Sequence, residues 1–392
     1  MMKKLPWLLS LAIVWIACSC SVSISPLRKE ILELERDRVL IAADEYLSAD
    51  IQTITEVTSS RSAGGPHDFY SEGDYWWPDP ENSGGPYIRK DGLTNPDNFV
   101  EHRNRMRRLS IIVPTLVAAW TITHNDKYAL KAIEHTNAWF VNEDTRMNPD
   151  MLYSQAIFGR VTGRGIGIID AIHLVEVVQA LMVLEENSLL TGKSLEKTKD
   201  WFTQFNTWIT THPYGIEERD NGNNHSTCWA MQVAQYAVFT GNDSLLFATK
   251  GFYDQTLLPE QMAANGSFPK ELARTKPYGY SLFNLDATYT LLHILGKSYP
   301  QVWQYQVGDS LQVRKAVDFM APYIADKATW PYAPDVMYFD DWPMRQSALL
   351  FSYIAYGDDK YLELWKTLPA DSEEDEVIRN FFIRQPLLWV KE

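Results

Sequence analysis

From about residue 100 onward, apolar residues recur at steps of three or four. Met106, Leu109, Val113, Leu116 and Trp120 fall on one helical face, as do Ile172, Val175, Val178 and Met182. Trp229, Val233, Tyr236 and Thr240 repeat the spacing, and Leu311, Val317, Met320 and Tyr323 follow it approximately. Pro114, inside the first run, predicts a kink there. Short breakers separate the runs: Thr123-His124-Asn125-Asp126, Thr240-Gly241-Asn242-Asp243 and Tyr356-Gly357-Asp358-Asp359. In the last two a helix closes on Gly and the next is capped by Asn or Asp. Helical hairpins in series, with no strongly alternating strands between them, predict an all-α chain. The architecture that fits is an α/α toroid, an incomplete barrel of helical hairpins around a cleft. A superhelical repeat array is the competing architecture, but it would show a fixed period, and none is present.

Upstream the pattern changes. Ile31 to Ala49 reads as a first helix, and Ser59 to Phe99 is irregular and rich in Gly, Pro, Asp and Trp. It contains Gly73-Asp74-Tyr75-Trp76-Trp77-Pro78 and Gly84-Gly85-Pro86-Tyr87. Too aromatic for disorder, it is expected to pack as a long loop over the cleft. At the extreme amino terminus Lys3 and Lys4 precede an apolar run from Leu5 to Ala17, shorter than a membrane-spanning helix. Residues 1–20 therefore read as an export signal, with Cys18 and Cys20 placed as in a bacterial lipoprotein. The expected location is the periplasm or the outer membrane, with membrane contact only through an N-terminal lipid anchor. Residues 27–392 form one toroid domain, in which Cys228 is alone and no disulfide can form.

Hydrophobic residues make up 45% of the chain and charged residues 22%, enough for a sizeable core. The 14 Trp, 20 Tyr and 16 Phe read mostly as a core rich in large side chains, and a minority exposed in a cleft would suit sugar binding. A net charge of −14 argues against nucleic acid as partner. An acidic protein that binds an acidic polymer must gather its cations locally. The runs Arg103–Arg108 and Arg160–Arg164 are candidates, although a solvated helix face explains the first equally well.

Two stretches carry candidate chemistry. Asn221-Gly222-Asn223-Asn224-His225-Ser226 opens a helix, whose free N–H groups and dipole favour an anion, although these residues are also ordinary caps. Asn265 to Asn284 offers Lys270, Glu271, Arg274, Tyr278 and Tyr280 in a loop before a helix from about Phe283. Read structurally, this is a surface turn in which Arg274 pairs with Glu271. His173 and His293 lie in apolar helical runs and read as core. No metal-ligand spacing appears, and no cofactor is implied.

Taken together, the Asn-His pair opening a helix and the later Glu-Leu-Ala-Arg followed by Tyr resemble the alginate lyase superfamily. That group includes polysaccharide lyase family 5 and the related lyases of family 38. The runs Gly163-Arg164-Gly165-Ile166-Gly167 and Ser71-Glu72-Gly73-Asp74-Tyr75-Trp76-Trp77-Pro78 are similar to those of bacterial members. The resemblance implies an α/α toroid and metal-independent β-elimination on a uronic-acid polysaccharide, of the alginate or glucuronan type. By that resemblance Asn224, His225, Arg274 and Tyr280 are the catalytic set, with Tyr278 a second candidate for the tyrosine. Arg274 and Tyr280 are six positions apart, one closer than in family 5, and Ser-Thr-Cys-Trp follows His225. Both departures favour the family 38-like branch.

Elimination removes the proton on C5 of a uronate and expels the oxygen on C4. It needs the neighbouring carboxylate neutralised, which Asn224 and a protonated His225 would do. Arg274 and an imidazolium would favour the phenolate of Tyr280 as base. With proton and leaving oxygen on one face of the ring, one Tyr suffices; on opposite faces, neutral His225 is the natural base. Tyr75, Trp76 and Trp77 are candidate sugar-stacking walls, and Gln155, Arg164, Asn223 and Tyr278 candidate substrate contacts. Two other functions fit the same frame. A glycoside hydrolase would need paired acids, for which Asp170, Asp220 and Asp286 are available. A non-catalytic glycan-binding lipoprotein would need only the aromatic loop.

Overall fold

Helices that are apolar on nearly every side must be buried on both sides, and those with one apolar stripe must lie outside them. The computed structural model, which describes residues 25–308 and 311–390, sorts the helices in this way. The signal segment read at residues 1–20 lies outside the described residues. Glu101–Thr123, Leu174–Glu186, Asn224–Thr240, Pro277–Gly296 and Ser347–Tyr356 form an inner series, each packed on the next. Outside them lie Pro26–Tyr46, Asp126–Phe140, Gly192–Thr211, Asp243–Phe252 and Asp359–Thr367, each against an inner helix. Gly192–Thr211 shows the outer pattern, burying Trp201, Phe202, Phe205 and Ile209 along one stripe. The result is an α/α toroid.

The breakers act as their sequences predict. Gly241 and Gly357 close helices in the left-handed conformation. Asn242 and Asp358 then cap the next helices by accepting from Leu245 N and Lys360 N. Some boundaries differ from the periodicity. The first helix begins at Pro26, where Ser25 caps it and proline occupies its first turn, and it ends at Tyr46. Glu101–Thr123 runs through Pro114 as one helix, that proline being fully buried among packed neighbours. The helix expected from Phe283 starts at Pro277, because Asp335 accepts hydrogen bonds from Tyr278 N and Gly279 N, both at 2.8 Å. A cap supplied from so far along the chain leaves no local signal.

The irregular region is ordered by two small strand pairs. Tyr70–Glu72 runs parallel to Tyr153–Ala156, and Trp76–Trp77 pairs antiparallel with Ile88–Arg89. The last segment is fixed by one buried carboxylate. Glu176 accepts from Arg384 N at 2.9 Å, Gln385 N at 2.8 Å and Trp389 Nε1 at 3.2 Å. Three donors on one buried acid hold the chain end inside the toroid. That brings the short helix Asp375–Asn380 to the same end of the barrel as the first turns of Asn224–Thr240 and Pro277–Gly296.

Candidate active site

A cavity of about 440 Å³ opens at this end, and Asn224, His225, Arg274 and Tyr280 all line it. Its position follows from local folding. Asn223 caps the helix by accepting from His225 N at 3.0 Å, which places Asn224 and His225 in the first turn. Tyr280 stands in the first turn of Pro277–Gly296, the helix packed against it.

Buried carboxylates orient the set. Asn224 donates from its backbone N to Glu271 Oε1 at 2.8 Å and from Nδ2 to Glu271 Oε2 at 2.7 Å. One of the two Nδ2 hydrogens is thereby used, and the other remains for a ligand. His225 Nδ1 lies 2.8 and 3.0 Å from the two oxygens of Glu218. That bond assigns the Nδ1 hydrogen to Glu218 and leaves Nε2 for the cavity. Burial pushes the carboxyls of Glu218 and Glu271 up, against the opposing pull of His225 on the first and of Asn224 on the second.

Arg274 pairs with Asp91 at 3.1 Å rather than with Glu271. Its Nη2 also donates to Tyr280 Oη at 3.3 Å, and its Cζ stands 4.4 Å from the Tyr280 ring centre. Tyr75 Oη and Tyr280 Oη are 2.6 Å apart. Tyr75 thus meets the cavity as the hydrogen-bonded neighbour of Tyr280. Burial raises the Tyr280 phenol well above its ordinary range, and Arg274 and Lys276 offset only part of that. Reasoning from charge alone favours the phenolate; desolvation reverses the balance, and the resting side chain is a phenol.

On the opposite wall, Arg164 donates to Gln155 O at 2.9 Å and to Gln155 Oε1 at 3.0 Å. Its flanking glycines are required by close approach: a Cβ on Gly163 would sit 1.9 Å from Leu152 O. Gln155 adopts a positive φ of 47°, held there by Ser71 Oγ on its N–H and by Asp170 on its Nε2. Trp76 and Asn223 also line the cavity. Trp77 and Tyr278 fall outside it. Trp77 donates Nε1 to Leu93 O, whereas Tyr278 is fully buried with its hydroxyl on Tyr323 O. His173 is only 1% exposed yet forms part of the wall, while His293 is core, stacked on Phe351.

Further charged residues complete the wall. Arg103, from the run that also reads as a solvated helix face, is buried between Asp74 at 2.6 Å and Asp170 at 3.2 Å. Arg379 reaches Asp74 at 2.5 Å and Glu376 at 2.9 Å, and Glu376 holds Lys276 at 2.6 Å. Burial opposes ionisation of Asp74, but Arg103 and Arg379 together hold its carboxyl well below the ordinary range. Five arginines, Arg89, Arg103, Arg164, Arg274 and Arg379, therefore line the cavity against two carboxylates, Asp74 and Asp170. Four of the five are paired, with Asp74, Asp91, Asp170 or Glu376, so cations are concentrated here but largely balanced by acids. The acids a hydrolase would use are not arranged for it. Asp220 is exposed beside Arg219, Asp286 is buried where Ala348 N reaches it, and both cavity aspartates are held by Arg103.

Fold and site together define a polysaccharide lyase built on a helical toroid. The alginate lyase family model matches residues 53–330, and the chain belongs to that family. A search of curated protein sequences gives no match. Among solved structures, an alginate lyase from Bacteroides ovatus is 30% identical with a TM-score of 0.79, covering 93% of this chain and 98% of that one. Alginate lyase A1-III from Sphingomonas species A1 shares the fold at 13% identity, with a TM-score of 0.55 over 94% of this chain and 100% of its own. A variant of A1-III in complex with a tetrasaccharide superposes at 15% identity and a TM-score of 0.56, covering 90% and 94%.

Proposed function

We propose that the chain cleaves a uronic-acid polysaccharide, of the alginate or glucuronan type, by β-elimination in this cavity. The observation that carries the reading is that an oriented amide, imidazole and phenol meet in one cavity lined by arginines. Export to the periplasm or outer membrane, read from the amino-terminal segment, would place the enzyme where such polymers are met.

In this reading the uronate carboxylate lies against the free Nδ2 hydrogen of Asn224 and the imidazole of His225. As the C5–H bond breaks, its electron pair moves toward that carboxylate, and donors already in place stabilise the added charge. The pair then returns to form the C4–C5 double bond while the C4 oxygen leaves with a proton from Tyr280. No water is consumed. With both groups on one face of the sugar, Tyr280 first takes the C5 proton and then returns it. Deprotonation of the phenol is then required, and its raised pKa makes kcat/KM climb with pH through neutrality, by up to about tenfold per pH unit.

With the groups on opposite faces, His225 Nε2 takes the proton and Tyr280 only gives one. The Glu218 bond to Nδ1 is the observation that favours this second reading. His225→Ala separates the two. Retention of the ascending pH limb in the variant, at reduced kcat, indicates proton transfer by Tyr280 alone. Loss of that limb, with recovery of turnover on adding imidazole, indicates His225 as base. A full-activity variant with an unchanged profile would remove His225 from the mechanism.

A further inference from the structure

We propose that the Trp76–Trp77 hairpin carries a second anion-binding tract, outside the cavity, in which Arg160 and Lys90 take carboxylates of uronate units farther along the polymer than those the cavity holds. The inference rests on the polyuronate reading above and extends it from one sugar ring to a length of chain.

Three cations surround the two indoles. The Arg160 guanidinium lies 5.2 Å from the Trp76 ring centre, Arg164 lies 5.9 Å from it, and the Lys90 ammonium lies 5.0 Å from that of Trp77. Most cations near the cavity are paired: Arg89 and Arg274 with Asp91, Arg103 and Arg379 with Asp74. No carboxylate lies within ion-pair distance of Arg160, Arg164 or Lys90 among the described residues. An aromatic face steadies a cation without neutralising it, so these three keep their charge for a ligand. Cations thus stand beside both indoles.

The tract is built rather than incidental. Arg160 Nε donates to Tyr87 O at 2.7 Å, and Tyr87 N donates to Phe158 O at 3.1 Å, tying the two loops together. Between them Gly159, at a positive φ of 72°, approaches Pro86 so closely that a Cβ would lie 2.8 Å from Pro86 Cα. Lys90 N donates to Tyr75 O at 2.8 Å, fixing the other end. Arg164 and Trp76 belong to the cavity wall, whereas Arg160 and Lys90 are exposed beyond it. A polymer with one carboxylate per sugar is the ligand whose charges repeat along such a path.

The test uses the full chain carrying Tyr280→Phe, which allows binding to be measured without turnover, with and without Arg160→Ala and Lys90→Ala together. Calorimetric titration is run with sodium alginate and with glucuronan, each as polymer and as trisaccharide. Charge-assisted contacts of this kind predict affinity for the bound polymer weakened roughly tenfold by the double change, with the trisaccharide affected less than about twofold. Equal weakening at both lengths, no weakening for the polymer, or no binding of either polymer to the parent chain overturns the tract. Lysis is scored separately, as ultraviolet absorbance by the unaltered enzyme. Binding that depends on Arg160 and Lys90 without any such product would therefore retain the tract and remove the lyase reading.

Discussion

Tyr280→Phe lowers kcat by roughly a thousandfold, the middle of the range for a positioned acid–base group, with substrate affinity nearly unchanged. The substitution removes one oxygen and keeps the ring beneath Arg274. What disappears is the atom bonded to Tyr75 Oη at 2.6 Å and to Arg274 Nη2 at 3.3 Å, and with it the only phenol of the catalytic set. The variant folds, because Tyr280 is half-buried at a helix start rather than in the core. Steady-state rates on the preferred polyuronate, with calorimetric affinity beside them, give the comparison. A loss confined to KM would make Tyr280 a binding residue, and undiminished turnover would exclude it from proton transfer.

Asn224→Ala comes next in size. An oriented donor that meets charge only as it develops acts on kcat more than on KM, and losing one costs on the order of 3 kcal/mol, or about a hundredfold or more. Here the change also strips Glu271 Oε2 of its 2.7 Å partner while leaving the backbone bond to Oε1. A buried acceptor left unpaired destabilises by about 1–3 kcal/mol, so a lowered melting temperature accompanies the kinetic loss. Glu271→Gln tests the orientation of that donor. A glutamine offers one acceptor oxygen to the two N–H groups of Asn224 that Glu271 receives, so one bond is lost and the Asn224 amide is no longer held; kcat falls while the amide itself is still present. Unchanged kcat in this variant would mean that Glu271 does not orient Asn224 for turnover.

The four candidate residues, singled out by the family resemblance, lie in short local segments, and the fold brings them to one cavity. Asn224 and His225 follow a capping Asn223 at a helix start, and Arg274 to Tyr280 occupy one short segment. The helical series was legible from local signals, since Gly241-Asn242 and Gly357-Asp358 stop and restart helices within two residues. Part of what orients the site was not legible, because it arrives from a distance. Asp335 starts the helix of Tyr280 from another loop, Asp91 fixes Arg274, and Glu176 draws in the chain end that delivers Arg379. Tyr278 and Tyr280 illustrate the limit at close range. Two positions apart, they differ because the helical turn sends one into the core against Trp330 and the other into the cavity. The state of the phenol failed for a related reason: neighbouring charges can be counted in a sequence, whereas the burial that outweighs them cannot.

The most direct test of elimination is to cleave the preferred polyuronate in water labelled with heavy oxygen and weigh the new chain ends. Elimination expels the glycosidic oxygen and creates a double bond, so the products carry no label and sum to the mass of the substrate. Fragments heavier by one labelled water, with no conjugated double bond, would identify a hydrolase and contradict the account.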